Sequence, residues 1–172
     1  MMSTQNGKTY NIRYPPGHGD LFESISASGM LSELQSQGIE YIFVSNIDNL
    51  GATIDPSIFA YVVESRSEFV MEVTDKTKAD IKGGALCLYQ NQLRLLELSQ
   101  VPSEHRSEFM KRFKVFNTNN LWIKVDAIKR ILSEDSLELD IIVNPKQIES
   151  TGEKILQLET AIGSAIRCVL IF

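Results

Sequence analysis

Cysteine and histidine are scarce in this chain, tryptophan occurs once, and no apolar run is long. The two cysteines among 172 residues, Cys87 and Cys168, show neither a CxxC pattern nor metal-ligand spacing. That excludes a disulfide-stapled scaffold and a cysteine zinc centre, and two thiols with no export signal suit a reducing cytosol. The two histidines, His18 and His105, lie too far apart in sequence for a paired-histidine metal motif. No stretch approaches the ~18 apolar residues of a membrane-spanning helix. The first ten residues are polar, carry Lys8 and have no apolar h-region, so they do not read as a signal peptide. A net charge of −5, with acids and bases interspersed, offers no basic stripe to nucleic acid. Neither a P-loop nor a Ser/His/Asp order appears. What remains is a cytoplasmic domain with no membrane or nucleic-acid partner, its 43 % hydrophobic share enough for one real core.

The richest stretch is residues 41–51. Tyr41 to Val44 read as a short buried strand that runs into Ser45, Asn46, Asp48, Asn49 and Gly51. In open α/β sheets ligands gather at such strand ends. An Asp there, flanked by amides, can hold Mg2+ against a phosphate. The alternative is an Asx-rich loop that caps the next helix.

Residues 1–13 read as a disordered or foreign lead-in, followed by a Pro/Gly loop at 14–20. Asp20, with Glu23 three residues on, predicts a capping box at a helix start. Gly29 breaks that helix in two and Gly38 stops it. Asp55-Pro56 opens a second helix to about Glu64, and Glu68 to Val73 form a strand. Lys82-Gly83-Gly84 make a tight connection before a β-hairpin of 85–90 and 93–99 around Asn91-Gln92. Ser103 opens a short helix. Phe113 to Phe116 form a strand ending in amides at Asn117, Asn119 and Asn120. A helix over 125–132, a strand over 141–143 and a helix over 160–167 complete the chain. Strands alternating with helices predict an α/β fold with a mainly parallel sheet and a hairpin insertion.

Several ends and loops therefore present small or polar groups: Gly17 and His18, Asn46 and Asp48, Gly83 and Gly84, Asn117 and Asn119. Glycine lets backbone N–H groups approach a phosphate or sugar, and Asn donates and accepts at once. Gly17 and Gly19 equally suit a plain turn. Glu97 falls opposite Leu96 and Leu98, so it either faces solvent or accepts hydrogen bonds from sugar hydroxyls. Glu72 and Asp75 likewise read as solvent-facing strand residues.

Taken in order, these motifs closely resemble eukaryotic UDP-glucose pyrophosphorylase. They are Pro15-Pro16-Gly17-His18-Gly19-Asp20, Phe43-Val44-Ser45-Asn46-Ile47-Asp48-Asn49-Leu50-Gly51-Ala52-Thr53, Phe69-Val70-Met71-Glu72-Val73-Thr74 and Lys78-Ala79-Asp80-Ile81-Lys82-Gly83-Gly84. Leu93-Arg94-Leu95-Leu96-Glu97, Phe116-Asn117-Thr118-Asn119-Asn120-Leu121-Trp122, Ile141-Ile142-Val143-Asn144-Pro145-Lys146 and Gln157-Leu158-Glu159-Thr160-Ala161-Ile162-Gly163 continue the set. The resemblance implies a Rossmann-like nucleotide-diphospho-sugar transferase fold, an α/β/α sandwich with a mixed sheet. It implies the conversion of UTP and glucose 1-phosphate to UDP-glucose and pyrophosphate by in-line, Mg2+-assisted transfer. Position by position, Gly17 and His18 match the loop at the uridine and α-phosphate, and Asp48 the metal-binding Asp with Asn46 beside it. Gly83, Glu97, Asn117 and Asn119 match sugar contacts.

The same resemblance sets expectations about what departs from the pattern. Residues 14–167 correspond to a partial catalytic nucleotidyltransferase domain, between a non-matching lead-in at 1–13 and a non-matching tail at 168–172. The family's Gly-rich triphosphate loop with its Lys, a second Lys and the C-terminal left-handed β-helix have no counterpart here. The sandwich is then incomplete, with an apolar sheet edge unpaired. The chain is expected to show little or no activity alone, while a homo-oligomer stays open for the full-length protein. Two alternatives remain: a broader UDP-sugar pyrophosphorylase, or a non-catalytic product that binds UDP-sugar or full-length subunits.

Overall fold

The computed structural model describes residues 14–77, 83–148 and 152–169, and the backbone alone of residues 2–5 and 8–11. At its centre strand β7 (Val115–Lys124) lies between β3 (Tyr41–Val44) and β4 (Phe69–Asp75), antiparallel to both. The expected mainly parallel sheet is not what forms: every strand pair among the described residues is antiparallel. The alternation of strand, helix and strand still has its effect. β3 and β4, linked through helix α3 (Pro56–Ser65), run the same way, but β7 returns between them and takes the hydrogen bonds of both.

β7 can do so because it does not stop at Phe116. It continues through the amides into Leu121-Trp122-Ile123, and Leu121 and Ile123 are fully buried against Phe22, Phe69 and Ile128. Helix α5 (Val125–Ser133) follows directly and buries Val125, Ala127, Ile128 and Ile131, a helical stripe closing the main core. On the other face of β7, Trp122 packs on Phe43 at 4.6 Å and on Phe59 at 5.5 Å between ring centroids.

Local chemistry sets most helix ends. Asp55 caps α3, its carboxylate accepting from the N–H groups of Ser57 (2.7 Å) and Ile58 (3.2 Å). Gly29, at φ 81°, separates α1 (Leu21–Ala27) from α2 (Met30–Ser36). Past α2, the Gly38 N–H donates to the Gln35 carbonyl and the Ile39 N–H to the Leu34 carbonyl, which is a Schellman stop. The capping box expected at Asp20 is absent. Residues 18–20 already form a 3-10 turn that enters α1, so Asp20 is itself helical and accepts from the Ser24 hydroxyl instead.

The remaining strands form three two-stranded ribbons. Backbone pairing of β1 (Met2–Gln5) with β2 (Lys8–Asn11) gives a hairpin where a disordered or foreign lead-in was expected. β5 (Ala85–Tyr89) and β6 (Gln92–Leu96) pair around Gln90 and Asn91, one residue earlier than expected, both at positive φ as a type I′ turn requires. β8 (Ile141–Gln147) is longer than its apolar start and pairs with β9 (Lys154–Thr160), a strand the sequence reading missed. A 3-10 helix, Ile162–Cys168, stands in place of the last expected α-helix, and α4 (Arg106–Arg112) packs Phe109 beside Ala85 and Val101. Of the motif at 78–84, residues 78–82 lie outside the described residues.

Candidate functional site

The cavity is built on a fault in β7. Met71 pairs with Leu121 and Val73 with Asn117, so a single residue of β4, Glu72, faces residues 118–120 of β7. A bulge of this kind re-aims side chains. Here Asn119 takes φ 58°, and the two neighbouring amides bind each other. Asn117 Nδ2 donates to Asn119 Oδ1 at 2.7 Å, and the Asn119 N–H donates to Asn117 Oδ1 at 2.9 Å. Each Asn keeps further donor and acceptor capacity for a ligand.

Glu72 ties the bulge down. Its carbonyl accepts from the Thr118 hydroxyl at 2.7 Å, and its carboxylate accepts from Asn120 Nδ2 at 3.0 Å and Trp122 Nε1 at 2.8 Å. The solvent-facing reading of Glu72 gives way to this internal role. Asn120 in turn accepts from Asn49 Nδ2 at 3.2 Å, while Asn49 Oδ1 accepts from the Gly51 N–H at 3.1 Å. The loop after β3 is thereby fixed to the bulge.

The β5–β6 hairpin meets the bulge at its two glycines. The Gly84 carbonyl accepts the Asn117 N–H at 3.1 Å. A side chain at Gly83 would overlap the Phe116 ring, and one at Gly84 would lie 2.7 Å from a Glu97 carboxylate oxygen. Glu97 itself sits just past β6 as the cap of a 3-10 turn, in a reciprocal capping box with Gln100. It is half-buried and lines the cavity, and burial pushes its carboxyl above the usual glutamate range.

The fourth wall is the loop before α1, pressed onto the end of β9. The Thr160 N–H donates to the Pro16 carbonyl at 2.8 Å. Gly17 holds φ 94° so close to the Thr160 backbone that no side chain fits, which explains this glycine without any ligand contact. His18 comes next and lines the cavity. Its Nδ1 accepts the Ile162 N–H at 3.0 Å. Desolvation lowers its basicity against the pull of the Glu159 carboxylate, although part of the side chain stays open to solvent.

These walls enclose about 490 Å³, a volume suited to a sugar or nucleoside portion. His18, Asn46, Gly83, Glu97, Asn117 and Asn119 all line it. Gly17 and Asp48 do not; Asp48 is exposed on the loop after β3, two residues from Asn46. Among the described residues no group of three or more acidic, His or Cys side chains is gathered to hold a metal. A lone exposed carboxylate beside amides still fits Mg2+ carried in on phosphates, since that ion keeps water and phosphate oxygens and needs few protein ligands. Asn49, Glu159 and Ala161 also line the cavity without having been singled out as site residues. The missed signal was the period-2 pattern of 154–160, whose odd-numbered residues are half-buried up to Glu159.

The chain matches the family described as UTP--glucose-1-phosphate uridylyltransferase over residues 1–170, a span that includes the lead-in as well as the motifs. The Saccharomyces cerevisiae UTP--glucose-1-phosphate uridylyltransferase is 56 % identical over 158 residues, covering 90 % of this chain and 32 % of the relative. A UDP-glucose phosphorylase structure from Trypanosoma brucei superposes with a TM-score of 0.86 at 38 % identity, over 91 % of this chain and 36 % of that one. A mutant UDP-glucose pyrophosphorylase from Leishmania major, solved in complex with UDP-glucose, gives 0.79 at 38 % identity, over 90 % and 36 %. The chain thus spans about a third of the length of the relatives it matches. With the family match running through nearly all of its residues, and through every element that builds the cavity, the chain belongs to the UTP--glucose-1-phosphate uridylyltransferase family.

Proposed function

We propose that this chain carries the sugar-nucleotide half-site of a UDP-glucose pyrophosphorylase, set in part of a Rossmann-like nucleotide-diphospho-sugar transferase sandwich. The whole reaction joins UTP and glucose 1-phosphate into UDP-glucose and pyrophosphate. One observation carries the reading: six residues chosen for sugar or phosphate chemistry, from four separate segments, meet in one cavity. The Asn117–Asn119 pair and Glu97 present fixed acceptors and donors to vicinal hydroxyls. The glycine backbone at 83–84 allows a sugar ring to approach closely. His18 offers a ring N–H to a phosphoryl oxygen, and Asn46 adds an amide at the rim. Bound Mg2+, held by Asp48, would neutralise phosphate charge. The chain's own residues align the sugar and phosphate, and alignment with charge neutralisation is most of what phosphoryl chemistry asks of a protein.

A second reading, binding without turnover, is favoured by the cavity wall, which contains no Lys or Arg among the described residues. Electrostatic donors aimed at developing charge are worth about 10²–10³ in rate each. Isothermal titration of the pure chain with UDP-glucose, with and without Mg2+, tests the half-site. Saturable binding, weakened in His18→Ala and strengthened by Mg2+, is expected. A folded chain that takes up no UDP-glucose overturns the proposal, and UDP-glucose synthesis by the chain alone overturns the second reading.

A further inference from the structure

His18 is held from behind. Its Nδ1 accepts a hydrogen bond from the Ile162 N–H, and that N–H cannot rotate away because it opens the 3-10 helix Ile162–Cys168. An imidazole nitrogen that accepts carries no proton. The proton of the neutral ring is therefore on Nε2, on the ring edge turned from Ile162. Protonation of Nδ1 would set two donors face to face. The Thr160–Pro16 bond and the tight Gly17 contact clamp the histidine loop against the same segment.

We propose that residues 159–162 are the positioning element for His18, presenting it to the ligand phosphate as a neutral Nε2–H donor rather than as a cation. This deepens the half-site reading and rests on it for the ligand. Glu159 on β9 acts directly on the ring and Glu97 lines the same cavity; Asp20, in its own turn, is engaged by Ser24. Two carboxylates and an anionic ligand would ordinarily favour an imidazolium. Burial of the ring opposes that first and the Ile162 N–H adds to it, while Glu159 pulls the other way and sets how acidic the solution must become before the lock opens.

The decisive measurement is long-range 1H–15N correlation of His18 in the full chain, assigned with a His105→Gln variant, across pH 5–8. The expected result is an Nε2–H tautomer with a titration midpoint below that of an ordinary histidine. Glu159→Gln should lower the midpoint further and leave the tautomer intact. Ile162→Pro removes the N–H, together with part of a buried side chain, at a helix-opening position whose preceding residue, Ala161, already has extended geometry. It should give a tautomer mixture, whereas Ile162→Ala, which loses more of the buried side chain but keeps the N–H, should not. An Nδ1–H tautomer in the parent chain overturns the proposal even if the proline variant does not fold. So does UDP-glucose binding that tightens as pH falls through the His18 midpoint, since a cationic contact would behave that way. Absence of UDP-glucose binding together with the Nε2–H tautomer would sink the half-site reading and leave the lock standing.

Discussion

Replacing Glu72 should unfasten the site without touching it. Its carboxylate holds Asn120 Nδ2 at 3.0 Å and Trp122 Nε1 at 2.8 Å, and those residues are only 6 % and 3 % exposed. Glu72→Ala leaves two buried donors unpaired, each worth about 1–3 kcal/mol. Glu72 is only half-buried, so water can reach part of the gap and the low end applies. A loss of about 2–3 kcal/mol is expected, or roughly 4–12 °C in Tm for a chain of this size. Glu72→Gln keeps one acceptor and should lose about half as much. Thermal and urea unfolding followed by circular dichroism measures both, and Trp122, the sole tryptophan, reports the local environment. Because Asn120 also anchors Asn49, UDP-glucose affinity should fall together with stability in the alanine variant. A double-mutant cycle of Glu72→Gln with Trp122→Phe isolates one bond. If Glu72→Ala costs less than about 0.5 kcal/mol, within the range of ordinary surface substitutions, the account of the bulge as carboxylate-held is wrong.

Two further outcomes follow from the cavity walls. Gly83→Ala places a Cβ in the Phe116 ring, so it should destabilise by about 1–3 kcal/mol through overpacking and weaken UDP-glucose binding, read by calorimetry beside thermal denaturation. Glu97 has a raised folded-state pKa, so its contribution to stability is complete below the ordinary glutamate pKa and is lost as pH rises through the folded value. Glu97→Gln should accordingly be more stable than the parent at neutral pH, with the gap closing in acid, while UDP-glucose binding weakens by about 10–100-fold. A variant less stable at neutral pH and unaltered in binding contradicts both roles.

Helix boundaries were legible because their chemistry is local. The Asp55 cap, the Gly29 break and the Gly38 stop each need only residues a few positions away, and each forms as the sequence predicts. Asp20 failed for an equally local reason: the 3-10 turn before it had already made it helical. Sheet topology was not legible, because it depends on where β7 returns. Nothing within residues 41–75 announces that a third strand will separate β3 from β4. β9 escaped notice because it belongs to a ribbon rather than the central sheet. Its alternation turns Leu156 and Leu158 outward and Gln157 and Glu159 inward, the reverse of a strand that buries its apolar face, so the pattern did not read as a core strand.

The amides of β7 show why site residues were easier to name than to place. Asn117, Asn119 and Asn120 are poor strand formers, and a reader of sequence alone ends the strand there. The chain ends nothing. It inserts the extra residues as a bulge, satisfies the buried amides by their mutual hydrogen bonds and by Glu72, and resumes pairing at Leu121. What makes those residues unsuitable for a regular strand is what makes them useful at a cavity: polar groups left over after the fold has used its share. The partner that makes the bulge possible lies some forty-five residues earlier, on β4, where Glu72 reads as one more surface carboxylate. Composition could therefore nominate the asparagines, but only the pairing of β4 with β7 explains why they stand together and face the same space as His18 and Glu97.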